Sequence, residues 1–130
     1  MNMKEIFSRG ASLLGEDGIA RLRASRVAVF GVGGVGGFAA EALARSGVGA
    51  LDLIDHDTVS PSNINRQIIA LHSTVGRKKV EVMAERKLTD MLPEELQEAY
   101  APIISVKDAD IEQLLHSGGC FKGICMLPIF

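Results

Sequence analysis

Val27 to Phe30 run without a polar break into four glycines, Gly31, Gly33, Gly34 and Gly36. An apolar run this short, stopped by glycine, predicts a buried parallel strand. Phe38 to Arg45 is rich in Ala, Leu and Glu, which are good helix formers. Gly47 and Gly49 end that helix, and Leu51 to Ile54 predict a second strand that stops at Asp55. Strand, glycine turn, helix and strand in this order predict an α/β fold built on a Rossmann-like parallel sheet with flanking helices.

A glycine turn of this kind lets the chain bend sharply and brings backbone N–H groups against a ligand. Those groups sit at a helix N-terminus, where the partial positive charge suits a phosphate. Asp55 follows the turn near the roughly 20-residue offset at which an acid meets a ribose hydroxyl. The glycines, the flanking strand and helix, and the acid together predict a nucleotide site.

With 130 residues, 47% of them apolar, the chain has the material for one domain and a real core. Its net charge of −2 argues against a broad basic surface for nucleic acid or membrane. The sequence has no apolar run long enough to span a bilayer, and its first residues, M-N-M-K-E-I-F-S-R, lack the apolar core of a signal peptide. Cys120 and Cys125 are too few for a disulfide framework and read as small buried apolar residues. A cytoplasmic, reduced protein is expected.

Three parts are expected along the chain: an N-terminal helical arm (1–26), a nucleotide-binding core (27–90) and a divergent tail (91–130). In the arm, Leu13, Leu14, Ile19 and Leu22 suggest an amphipathic helix broken around Gly15 to Gly18, with Asp17 as a cap for its second half. Phe7, Arg9 and Leu13 belong to an arm that cannot join the sheet in the usual order. After the second strand comes a polar loop holding Asp55, Asp57, Ser60, Ser62, Asn63 and Asn65. Arg66 and Gln67 open the apolar stretch Ile68 to Leu71, Thr74-Val75-Gly76 reads as a turn, and Lys78 to Lys87 as a helix packed through Val80, Val82 and Met83. A loop this dense in Asn, Arg and Lys suits phosphoryl or nucleotidyl transfer, where charge grows on phosphate oxygens in the transition state. His56, His72 and His116 read as surface residues.

G-V-G-G-V-G, then L-I-D-H-D-T-V-S-x-S-N-I-N-R-Q, then V-G-x-x-K, resembles the ThiF/MoeB/HesA group of ubiquitin-activating-enzyme relatives over about residues 7 to 86. Within it, F-S-R near the start, R-S-G-V-G-A-L-D-L-I-D-H-D and V-E-V-M-A-E-R look most like the branch that dehydrates threonylcarbamoyladenosine in tRNA. The resemblance implies that Gly34 faces ATP phosphates and that Asp55 binds the ribose hydroxyls. Asp57 resembles an acid beside the nucleotide, Asn63 and Arg66 the phosphate-contacting pair, and Lys79 the lysine near the α-phosphate. Arg9 resembles an arginine that reaches into the partner's ATP site in family dimers, so a homodimer is implied.

The implied reaction is adenylation. A carboxylate attacks the α-phosphorus of ATP, pyrophosphate leaves, and a second nucleophile attacks the acyl-adenylate. In the branch named above, the carboxylate belongs to the threonylcarbamoyl group on tRNA, and attack by its carbamoyl group closes a ring with net loss of water. Lys79, Arg66 and Arg9 would stabilise the pentacoordinate phosphorus. The alternatives are adenylation of a sulfur-carrier protein, with sulfur-transfer proteins as partners, an NAD-dependent oxidoreductase, or a truncated nucleotide-binding module without catalysis.

Past Arg86 the likeness fades. Pro93 to Tyr100 and Asp110 to His116 suggest short helices, and Pro102 to Val106 and Phe121 to Phe130 two more strands. In the family the fourth strand ends in an Asp that binds Mg2+. Here that region reads F-K-G-I-C-M-L-P-I-F and offers no acid, so no metal ligand is assigned. The domain is expected to be incomplete relative to the family, as a fragment or a gene with a disrupted 3′ end. Nucleotide binding is expected to survive this loss better than catalysis.

Overall fold

A computed structural model describes residues 2–86, 94, 103–110 and 112. Its elements run α1 (Met3–Ile6), α2 (Ser8–Arg23), β1 (Arg26–Phe30), α3 (Gly36–Arg45), β2 (Ala50–Asp55), α4 (Lys79–Glu85) and β3 (Ile103–Asp108). Two 3-10 turns, Pro61–Asn63 and His72–Thr74, lie between β2 and α4. The strands form a parallel sheet in the order β1-β2-β3, with Phe30 level with Ile54 and Asp55 level with Asp108. This is the Rossmann-like arrangement expected of the glycine turn.

β2 is the central strand here, and its Leu51, Leu53 and Ile54 are fully buried. Ala40 and Ala44 of α3 and Val80, Val82 and Met83 of α4 share one core cluster with Val29, Leu51 and Leu53. Alanines at the contact face let α3 approach closely, and β-branched residues suit the pleated surface beneath. The expected helices begin or end a residue or two away from the observed ones. α3 starts at Gly36 rather than Phe38, and α4 covers Lys79–Glu85 within the expected 78–87.

Helix α2 kinks at Gly15, whose φ of 75° and ψ of 167° lie outside the helical region. Only glycine takes that geometry at no steric cost. Asp17 therefore lies two residues past the break, inside the helix. Leu13 and Leu14, expected on the packed face, are 85% and 52% exposed, because they sit on the turn just before the kink. Ile19 is buried, and Leu22 packs against the core. The arm docks on its own chain. Phe7 is buried, its ring 3.1 Å from where a Cβ on Gly47 would stand, and Gly49 N–H donates to Leu22 O at 3.1 Å.

Ile68 to Leu71 forms neither helix nor strand; it is a turn segment with Ile69 and Ala70 buried. The third expected strand is present as β3. The expected helix over 93–100, the helix over 110–116, the fourth strand over 121–130, Cys120, Cys125 and His116 lie outside the described residues, single positions apart.

Asp52 is a buried acid in the middle of β2. Arg26 grips it with two bonds, Nε to Oδ2 at 2.8 Å and Nη2 to Oδ1 at 2.7 Å. That hydrogen-bonded guanidinium holds the Asp52 carboxyl below the usual carboxylate range. A depressed folded-state value makes the contribution complete above about pH 4, the unfolded value, and removes it as pH falls through the folded one. The calorimetric melting temperature should therefore decline as pH falls below about 4, and Asp52→Asn should remove part of that decline.

Candidate functional site

The glycine turn leaves the C-terminal end of β1. Gly31 adopts a φ of 89°, and its N–H donates to Ile54 O at 2.8 Å. A Cβ on Gly36 would stand 1.7 Å from Gly31 O, so the turn closes only with glycine there. Gly33 and Gly34 differ. Neither has a positive φ, and a Cβ on either would meet nothing closer than 3.6 Å. A methyl group would be accommodated at those two positions, in ordinary contact with Gln67 and Arg66. No side chain caps the N-terminus of α3, so donors at the start of that helix have no side-chain acceptor. Uncapped amides at a helix N-terminus suit a phosphate.

Asp55 ends β2 against this turn. Its buried carboxylate accepts Val32 N–H on Oδ2 at 2.7 Å and Asp57 N–H on Oδ1 at 2.8 Å. One side chain thus ties the turn after β1 to the loop after β2. Each oxygen keeps a second lone pair, which a ribose hydroxyl could use.

The segment after Pro61 curls back along the turn. Asn63 is buried; its Oδ1 accepts Ser60 N–H at 2.9 Å and its carbonyl accepts the N–H groups of Arg66 and Gln67. This hook rides over the glycines. Arg66 O and Cγ lie 3.8 and 3.9 Å from the Cβ position of Gly34, Gln67 Nε2 lies 3.6 Å from that of Gly33, and Ile68 Cγ2 lies 3.0 Å from that of Gly37. The Arg66 guanidinium is exposed and rests on its own hook, Nη1 donating to Ser62 O at 2.8 Å and Asn65 Oδ1 at 3.1 Å.

Lys79 reaches the same end of the sheet by another route. Residues 57–59 and 76–79 pair through their backbones: Val59 N–H to Arg77 O at 2.8 Å, Gly76 N–H to Val59 O at 2.8 Å, and Lys79 N–H to Asp57 O at 3.0 Å. Neighbouring Lys78 pairs with Asp108 at the end of β3. The Lys79 side chain is 9% exposed, with Nζ 3.7 Å from Asp57 Oδ2. A buried ammonium beside a single exposed carboxylate suits an anionic ligand.

The structure therefore brings Gly31, Gly33, Gly34, Gly36, Asp55, Asp57, Asn63, Arg66 and Lys79 to one end of the sheet. It does not bring Arg9 into that network: Arg9 is exposed on α2 and makes no hydrogen bond or ion pair among the described residues. His56 lies beside the site at 3.4 Å from Asp57, and His72 is exposed on the second 3-10 turn. Asp55, His56 and Asp57 each bring one ligand atom within 4.8 Å of the others. Asp55 is buried and Asp57 is half-exposed, so Asp57 is the carboxylate of this group that solvent reaches. Sequence reasoning missed the Arg26–Asp52 pair and the placement of Gln67. An acid inside an apolar strand was the signal for the first.

A parallel sheet with this glycine turn and this clasp of charged residues places the chain in the Rossmann-like nucleotide-binding class of folds. The ThiF family pattern matches residues 7–117, and the chain belongs to that family. It is 56% identical over 88 residues to the tRNA threonylcarbamoyladenosine dehydratase of Bacillus subtilis (strain 168), covering 68% of this chain and 34% of that protein. It is 46% identical over 78 residues to the molybdopterin-synthase adenylyltransferase of Escherichia coli (strain K12), covering 60% of this chain and 30% of the relative. The crystal structure of the E. coli tRNA N6-threonylcarbamoyladenosine dehydratase in complex with ATP superposes with a TM-score of 0.73 at 40% identity, covering 88% of this chain and 46% of the other. The chain thus spans about a third of the length of the curated relatives it matches. Among the described residues, no helix is long and apolar enough to cross a membrane.

Proposed function

We propose that this chain is the ATP-binding part of an adenylating enzyme whose substrate is threonylcarbamoyladenosine in tRNA. The observation that carries this reading is the clasp itself: the hook at 66–68 lies against the glycine turn, Asp55 ties that turn to the loop at 57, and the buried Lys79 reaches Asp57 of the same loop. Relatives named as dehydratases and adenylyltransferases support it.

In this reading the triphosphate lies on Gly33 and Gly34 against the start of α3. The substrate carboxylate oxygen bonds to the α-phosphorus as the bond to the leaving pyrophosphate breaks. The carboxylate is already ionised, so the attack needs no general base. Arg66 turns from Ser62 O to the phosphate and Lys79 stands by from its buried position, so one mobile and one held cation face the growing charge. Asp57 would be the residue to face a magnesium ion, which would supply neutralisation of phosphate charge. Carbamoyl attack on the acyl-adenylate then releases AMP and closes the ring. Arg9 would serve the site of a second copy in a cytoplasmic homodimer.

Adenylation of a sulfur-carrier protein is the second reading, favoured by the likeness to the molybdopterin-synthase adenylyltransferase. Calorimetric titration with ATP and with NAD, followed by pyrophosphate release with modified tRNA or a carrier protein, separates these. ATP binding without NAD binding is expected. Tight NAD binding with no response to ATP would reject the whole scheme.

A further inference from the structure

Arg66 reaches the glycine turn with its stem and rests its head on its own hook. Cγ lies 3.9 Å from the Cβ position of Gly34, so the side chain starts out over the turn. Its Nη1 donates to Ser62 O at 2.8 Å and to Asn65 Oδ1 at 3.1 Å. That nitrogen carries two protons, and the two acceptors take both. Ser62 O is a main-chain group, which any residue at 62 would supply. The Asn65 carboxamide is a side-chain acceptor, and Asn65 is exposed, so its amide is not there to fill the core. Its bond to Arg66 is the feature of this resting place that depends on which residue the chain carries.

We propose that Asn65 is a positioning residue that retains the Arg66 guanidinium on the hook until a triphosphate takes it, which rests on the ATP reading above. In that reading Arg66 turns to the phosphate, and Nη1 exchanges its two acceptors for phosphate oxygens. A ligand that needs the turned arginine has its affinity reduced by the fraction of molecules that already hold it turned. The Asn65 bond lowers that fraction. It lies in water, so the reduction is small, about threefold. The same bond gives the guanidinium a place to return to when the phosphates leave. A carboxylate at 65 would hold it harder, because a charge-assisted bond is the stronger one, and an apolar residue would leave it to Ser62 O alone.

The test is a double-mutant cycle read by calorimetric titration with ATP, with thermal melting alongside. Asn65→Ala should raise ATP affinity about threefold, and Asn65→Asp should lower it about tenfold. In an Arg66→Ala background Asn65→Ala should change nothing, because no guanidinium is left to hold. A loss of ATP affinity in Asn65→Ala overturns the proposal, since Asn65 would then present Arg66 or touch the ligand itself. An unchanged affinity overturns it too, as does a gain that persists without Arg66. If Arg66→Ala binds too weakly to titrate, adenosine takes its place: it has no phosphate to draw the guanidinium, and a gain in adenosine affinity with Asn65→Ala overturns the proposal. Surface substitutions of this kind should barely move the melting temperature. Should Asn65→Ala nevertheless unfold, the Asn65 side-chain NH2 signal in the 15N spectrum of the wild type decides. Movement with ATP that disappears in Arg66→Ala supports the proposal, and any other result overturns it. Failure of the wild type to bind ATP is a separate result that rejects the nucleotide reading and this proposal with it.

Discussion

Gly36→Ala will unfold the domain, while Gly34→Ala will leave it folded and deaf to ATP. The added methyl at position 36 would stand 1.7 Å from Gly31 O, and backbone cannot yield to it without opening the turn. Gly31 is held in place by its bond to Ile54 O, so the strain passes directly into the β1–β2 pairing. A loss of about 4 kcal/mol or more is expected, large enough to consume most of the stability of a small domain. At position 34 the nearest atoms are 3.8 and 3.9 Å away, an ordinary contact distance. Replacing glycine by alanine there should hold or slightly raise the melting temperature. It also places a methyl group where the reading above puts a phosphate. Urea melts of both variants with ATP titration of the second check the pair. Equal destabilisation would mean that a methyl is not accommodated against Arg66 at position 34, and full ATP affinity in Gly34→Ala would move the phosphate elsewhere.

Lys79→Met will lower ATP affinity roughly 10- to 100-fold, the loss expected for one charge-assisted contact, with little change in stability. The lysine is almost fully buried, and its one ion-pair partner among the described residues is the half-exposed Asp57 at 3.7 Å. Methionine keeps the volume and removes the desolvation cost of the ammonium, so the fold should not suffer. Lys79→Arg is not an expected rescue, because the larger planar group does not fit a pocket shaped around a point charge. Titration calorimetry and a melting curve measure both halves. A variant that melts far below the wild type would make Lys79 a structural residue instead.

The fold was legible where short-range chemistry decides it. The apolar run into Gly31 and the alternation of Leu51 and Leu53 in β2 each have one reading, because a strand ending at glycine and a buried central strand leave few alternatives. The apolar stretch Ile68 to Leu71 was harder. Its burial comes from the hook folding over α3, a long-range contact with no periodic signature in the segment itself. Leu13 and Leu14 misled for a related reason: helical spacing assigns a face only while the helix stays straight, and Gly15 bends it. Of the candidate site, residue types and order were visible in the chain. That Asn63, Arg66 and Lys79 belong to one site came from the family resemblance and not from periodicity, because the backbone bonds that carry Lys79 to this end of the sheet join residues about twenty apart, which pattern alone does not register.

The pairing of residues 57–59 with 76–79 uses main-chain groups alone. Since those bonds do not consult side-chain identity, Thr58 and Arg77 are free to drift while the lysine stays at its station. Variation at Thr58 leaves those bonds intact, and variation at Arg77 gives up only its exposed ion pair with Glu85. A library randomised at those two positions, Pro excluded, should stay folded across most members, as thermal melting would show.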